Sequence, residues 1–171
     1  GKPARIIAKC NSLEDKEIID LLYEASERGV QVDLIVRGFC SLRPGVPGLS
    51  ERIRVISIIG RFLEHSRIFY FQNGRDKGID GEFYIGSADW MHRNLHARLE
   101  VAVPILDRKL KRRCWEILTT SIADQRQVWE MKPDGSYVQR QEDTDATTGT
   151  QERLMQLTQM RSEFLQDADD K

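Results

Sequence analysis

His65 is the residue best placed for chemistry, because of its neighbours. It sits in Arg61-Phe-Leu-Glu-His65-Ser-Arg67, directly before the apolar run Ile68-Phe-Tyr-Phe71. An imidazole can attack phosphorus or shuttle a proton near neutral pH. A guanidinium neutralises phosphate oxygens through paired parallel hydrogen bonds. Alternation along an extended segment puts His65 and Arg67 on one face, where both can address one phosphate. One strand later comes Gly86-Ser87-Ala88-Asp89. Its glycine lets the backbone approach closely, Ser87 can donate to a phosphate, and Asp89 can orient a histidine. The plainer readings are a packed or surface imidazole for His65 and a strand-terminal turn for Ser87 and Asp89. The flanking Arg61 and Arg67 favour the phosphate reading.

These residues need elements to hold them. Ala4 to Lys9 reads as a buried strand. Asn11 and Ser12 can cap the helix that follows, in which Ile18, Leu21, Leu22 and Ala25 recur at helical spacing and which Gly29 ends. Val30, Val32, Leu34 and Val36 alternate as a strand does, so a right-handed parallel strand–helix–strand unit is expected. Arg37 then falls at a strand's carboxyl end, where open α/β sheets bind ligands. It is either a phosphate ligand or a surface ion pair. Asn11 either reaches the same mouth or only caps its helix. Arg43 lies in the stiff Arg-Pro-Gly-Val-Pro-Gly loop, and Arg52 and Arg54 fit the wet face of a strand.

Further strands are expected at Ile53–Ile59, Ile68–Phe71, Phe83–Ile85 and Leu99–Ile105. Asp107 can cap a long helix to about Trp129, with Leu110, Cys114, Ile117 and Leu118 on one face. Pro133-Asp-Gly135 is a turn, residues 141–150 are polar, and residues 151–165 form an amphipathic helix using Leu154, Leu157 and Phe164. This gives an α/β fold with a mixed sheet flanked by helices.

The chain has 171 residues, enough for one domain with a real core. Its net charge of −1 excludes a globally basic nucleic-acid binder. The distribution is uneven. Six arginines (37, 43, 52, 54, 61, 67) face two acids between Arg37 and Arg67, whereas five basic residues face nine acids from Lys132 onward. A cationic middle and an acidic tail point to a local anion site. Cys10, Cys40 and Cys114 are widely spaced, which favours a reduced, cytoplasmic setting over a disulfide scaffold or zinc site. No apolar run approaches the roughly 20 residues that span a bilayer. The chain begins in an apolar strand without a methionine, so a piece of a longer protein is expected. His92, His96 and Glu100, four apart, mimic metal-ligand spacing, but no further ligands accompany them. Tyr70, Tyr84 and Trp90 could stack on adenine, although strand aromatics more often belong to a core. A P-loop and the protein-kinase signatures are both missing, so a nucleotide would need an arginine cradle instead.

The order His65-x-Arg67 … Gly86-Ser87-x-Asp89 resembles one half of a phospholipase D-like site. The longer run Asp33-Leu-Ile-Val-Arg37-Gly to Val55, leading into Ile-Ile-Gly-Arg61-Phe-Leu-Glu-His65-Ser-Arg67, is similar to the C-terminal domain of bacterial polyphosphate kinases. The likeness extends from Lys9-Cys-Asn-Ser-Leu13 to the segment Trp129–Val138. It implies a phospholipase D-like α/β sandwich over residues 1–130, followed by a turn, polar linker and helix over 131–171. It implies transfer of the terminal phosphate of ATP to a growing polyphosphate chain through a phosphohistidine on a neighbouring domain. His65 would then be a partner histidine that contacts the nucleotide phosphates and assists transfer. ATP phosphates would meet Arg37, with Arg61, Arg67, Ser87, Asp89 and Asn11 around them. Magnesium would be held by residues outside this chain. The resemblance also implies the remaining domains of the enzyme as partners, a dimer or tetramer of the full-length protein, no nucleic acid, and a cytoplasmic or membrane-associated setting. One departure is Arg67 where phospholipase D-type motifs carry lysine. Arginine keeps its charge and cannot serve as an acid, which argues against simple phosphodiesterase chemistry. The rivals are a phosphodiesterase half-site and a non-catalytic polyanion-binding module.

Overall fold

The computed structural model describes residues 2–140 and 148–169, with side chains described as far as residue 163. The expected polar linker lies mostly outside the described residues, as does the Phe164 side chain. Eight strands form one sheet: β1 Arg5–Cys10, β2 Gln31–Val36, β3 Ile53–Ile58, β4 Ile68–Phe71, β5 Glu82–Gly86, β6 Ala102–Pro104, β7 Val128–Met131 and β8 Tyr137–Gln139. Four helices accompany them: α1 Lys16–Glu27, α2 His92–Ala97, α3 Arg108–Ala123 and α4 Thr150–Asp169.

The strand order is β6-β5-β4-β1-β2-β3-β7-β8. β1, β2 and β3 run parallel, β4 pairs antiparallel with β1, and β5 antiparallel with β4. The consequence is topological. The ends of β1, β2, β3 and β5 and the start of β4 all lie at one edge of the sheet. Asn11, Arg37, Gly60, His65–Arg67 and Ser87–Asp89 are thereby brought together from segments far apart in sequence.

Both faces of the central strands are buried, which is why they read as nearly continuous apolar runs. Ala8, Leu34, Val55 and Phe69 pack with Leu13 and Leu22 on the α1 face. Ile7, Ile35, Ile56, Ile68, Tyr70 and Phe83 pack with Cys114 and Leu118 of α3 on the other. Leu21 and Leu110, expected on the buried stripes of α1 and α3, are instead exposed.

Several local expectations change. Asp15, not Asn11 or Ser12, caps α1, accepting from the Ile18 amide at 3.1 Å. Asp107 does cap α3, but the helix stops at Ala123. Trp129 lies in β7, which pairs with β3 and forms a hairpin with β8 around the Pro133–Gly135 turn. The sheet therefore continues through residue 130. β6 covers only three residues of the expected Leu99–Ile105 strand. Arg54 is not on a wet face. Together with Arg5 it grips Asp33, which is 2% exposed, at 2.7 and 2.6 Å.

Candidate active site

Arg37 follows β2, with Gly38 behind it. The Gly38 amide donates to the Asn11 carbonyl at 2.8 Å and ties the ends of β2 and β1 together. Among the described residues the Arg37 guanidinium makes no hydrogen bond, and its Nη1 is buried. Asn11 is 7% exposed, and among the described residues neither its Nδ2 nor its Oδ1 makes a well-formed hydrogen bond, although its side chain is close enough to Asp89 to help hold that carboxyl down. Buried donors without partners are costly. Both residues lie at the carboxyl ends of neighbouring parallel strands, β1 and β2.

Asp89 organises the next layer. Burial pushes its carboxyl up, but hydrogen bonds from Arg67 and the Asn11 amide outweigh this and hold it below the usual carboxylate range. Arg67 meets it with Nε at 3.1 Å and Nη2 at 3.0 Å, while the Asn11 amide donates at 2.7 Å. The remaining arm of Arg67 donates to the His65 carbonyl at 2.8 Å. Gly38, Asn11, Asp89, Arg67 and His65 thus form one hydrogen-bonded path along the sheet edge. Asp89 orients Arg67 and the Asn11 backbone, not the His65 ring. Arg67 is accordingly a strut beneath the loop, while the exposed His65 imidazole has no hydrogen-bond partner among the described residues. His65 opens onto an apolar groove of about 480 Å³ that runs past Ile85, Val101 and Val103.

Ser87 is engaged elsewhere. Its hydroxyl bonds Glu100 and accepts from the Val101 amide at 3.0 Å. Arg61 is exposed, its guanidinium 5.2 Å from the Phe62 ring centre. Arg43 does not reach the mouth. It pins its loop to the β7–β8 hairpin through the Pro133 carbonyl at 3.2 Å.

Sequence reasoning missed Lys9 and Glu64. Lys9 is 5% exposed and pairs with Glu64 at 3.0 Å, in the same narrow cleft as Arg37. A lysine inside an apolar strand was the available signal. Gln151, which reaches Glu64 from α4 at 3.0 Å, left none. Burial pushes the Glu64 carboxyl up, but Lys9, Gln151 and Arg37 together hold it below the usual carboxylate range.

Tyr70, Tyr84 and Trp90 follow the core reading and pack against other aromatics. Tyr70 lies against Phe83 and Trp115, Trp90 stacks on Phe69, and Tyr84 meets Phe71 edge-on. The exposed aromatics at this edge are Phe39 and Phe62. Glu100 does not join His92 and His96. It bonds Ser87 and Asn94, and Asp15 faces the two histidines instead, at 3.9 and 3.3 Å. Magnesium prefers oxygen ligands. That trio does not fit it, and the mouth's acids, Glu64 and Asp89, are already engaged by cations.

Strand order and site together describe a mixed α/β domain whose parallel strands end at an arginine that makes no hydrogen bond among the described residues. The family model described as polyphosphate kinase C-terminal domain 2 matches residues 1–151, and the chain belongs to that family. It is 57% identical over 159 residues to the polyphosphate kinase of Thermosynechococcus vestitus, covering 92% of this chain and 21% of that protein. It is 60% identical over 140 residues to that of Synechocystis sp., covering 82% and 19%. The crystal structure of polyphosphate kinase from Porphyromonas gingivalis superposes with a TM-score of 0.89 at 37% identity, covering 96% of this chain and 24% of that one. The chain therefore spans about a fifth of the length of the curated relatives it matches. No described helix is long and apolar enough to cross a membrane.

Proposed function

We propose that this chain is the nucleotide-phosphate half of a polyphosphate kinase active site, built on a phospholipase D-like sandwich. In this reading the terminal phosphate of ATP passes to a histidine on a neighbouring domain and then to a growing polyphosphate chain. The observation that carries it is the Arg37 guanidinium, which makes no hydrogen bond among the described residues and has its Nη1 buried, at the edge that also presents the buried Asn11 side chain and His65. Arg37 and Asn11 hold phosphate oxygens. His65, free at its ring, contacts the phosphates undergoing transfer and stabilises the charge that builds on them. Arg67 and Asp89 fix the backbone on which His65 is mounted, and Arg61 adds positive charge at the rim. ADP leaves through the same mouth.

Magnesium, which neutralises phosphate charge in such transfers, would be held by other parts of the enzyme. What supports this is that Glu64 and Asp89 are already engaged by Lys9 and Arg67. The remaining domains, a dimer or tetramer of the full enzyme and a cytoplasmic setting belong to the same proposal.

The test is incorporation of the terminal phosphate of ATP into acid-insoluble polyphosphate by the longer enzyme carrying this domain. Arg37→Ala and His65→Ala should each lower kcat/KM by about 10²-fold or more, with unfolding temperatures within a few degrees of the parent. Unchanged rates in both variants would refute the assignment of this edge.

A further inference from the structure

We infer that Gln151 is a positioning residue: it clamps the His65 loop to the sheet and keeps Glu64 on Lys9, leaving Arg37 free for phosphate. This rests on the kinase reading above. The loop from Ile59 to Arg67 has no regular secondary structure of its own, yet it must hold His65 at a defined place. Gln151 replaces the missing ladder. Its Oε1 accepts from the Phe62 amide at 2.8 Å, and its Nε2 donates to the Phe62 carbonyl at 2.8 Å. One side-chain amide thus acts as a strand neighbour to the residue three positions before His65. The second Nε2 hydrogen goes to Glu64 Oε1 at 3.0 Å, so both donors are in use, and Gln151 is 8% exposed.

The clamp is itself anchored. Asp124 Oδ2 accepts from both the amide and the hydroxyl of Thr150, each at 2.6 Å. Asp124 Oδ1 accepts from the Arg126 and Gln127 amides. The start of α4 is therefore fixed to the junction of α3 and β7. Gly60 provides the room: a Cβ there would lie 2.5 Å from Gln151 Oε1 and 2.7 Å from its Cδ.

The charge argument makes the clamp more than a packing contact. Lys9, Arg37 and Glu64 line one narrow cleft, so two cations face one carboxylate. With Oε1 held by Gln151, Oε2 reaches Lys9 Nζ at 3.0 Å, and Arg37 acts on Glu64 through its charge alone, with no hydrogen bond among the described residues. A carboxylate released from Gln151 can turn to Arg37, and that pair would compete directly with ATP phosphate.

Gln151→Glu is the discriminating variant, because it preserves shape but replaces the donating amide by an acceptor facing Glu64 and the Phe62 carbonyl. In the longer enzyme it should raise KM for ATP about tenfold with a smaller change in kcat. The defect should shrink as pH falls from about 8 to about 6, where the introduced carboxyl regains a proton to donate. Gln151→Ala should give the same KM defect without that recovery. In Gln151→Ala the Phe62 amide should lose its protection from hydrogen exchange, whereas Gln151→Glu, which keeps an oxygen to accept from that amide, should retain most of it. A parental KM in Gln151→Glu, or unchanged Phe62 protection in Gln151→Ala, would overturn the inference. Arg37→Ala and His65→Ala run alongside separate the two readings. If they lose ATP use while Gln151→Glu matches the parent, the clamp fails and the kinase reading stands. If they too keep full ATP use, both fail.

Discussion

Arg67 and Arg37 are the same side chain in opposite situations. Arg67 is forked onto Asp89 and bonded to a backbone carbonyl, whereas Arg37 makes no hydrogen bond among the described residues and meets Glu64 only through its charge. From spacing alone Arg67 looked like the phosphate ligand, since alternation put it on one face with His65. Spacing could not reveal that Asp89, 22 positions later, would arrive from the end of β5 and neutralise it. Asp89→Asn follows from this. The carboxyl is held below its usual range in the fold, so its contribution to stability is full above the unfolded value of about 4 and fades as pH drops through the lower folded value. The variant should lose about 2–3 kcal/mol at pH 7 and show a shallower stability loss than the parent between about pH 4 and pH 2, both readable from urea melts. Tyr70 gives an opposite prediction. Its hydroxyl is buried without a partner, so Tyr70→Phe should be neutral or stabilising by up to about 1 kcal/mol in the same melts.

At the scale of elements, the buried parallel strands were legible because their runs are apolar and bounded by glycine. The positions of Arg37 and Asn11 at the ends of β2 and β1 were legible for the same reason, and strand ends mark the mouth of an α/β sheet. The errors cluster where a tertiary partner decides. α3 stops at Ala123 although its sequence continues without a proline, because Asp124 turns its carboxylate onto the amides of Arg126 and Gln127 and on to Thr150. β6 is short because Ser87 and Glu100 hold the preceding segment by side chains. Neither bond has a periodicity to read. Asp124 therefore joins α3, β7 and α4, with its carboxyl held below the usual range by these hydrogen bonds despite burial. Asp124→Ala should cost about 2–4 kcal/mol. It should also deprotect the Phe62 amide in hydrogen exchange, although residue 124 lies far from Phe62 in sequence. Destabilisation without that local effect would mean that α4 docks independently of Asp124.

Across the whole molecule, the cationic middle of the sequence is mostly neutralised within the fold. Arg5 and Arg54 are taken by Asp33, Lys9 by Glu64 and Arg67 by Asp89, and Arg43 is engaged at the β7–β8 hairpin. What stays available at the mouth is Arg37 and Arg61, with His65 four positions after Arg61. This separates a nucleotide-phosphate site from a polyanion grip by a measurable quantity. Each phosphate contact that displaces a counterion adds roughly one unit to the slope of log affinity against log salt. A grip using all six arginines between Arg37 and Arg67 would give a slope of about 5. The two at the mouth, Arg37 and Arg61, predict a slope of about 2 for ATP or a short polyphosphate binding to this 171-residue chain. Arg37→Ala should reduce that slope by about one as well as weakening affinity, while Arg43→Ala should leave both unchanged. A slope near 5 that survives Arg37→Ala would favour the polyanion module. The same preparation should form no acid-insoluble polyphosphate from ATP, because the proposed acceptor histidine belongs to another domain. Synthesis by this chain alone would place the whole transfer on the edge described here.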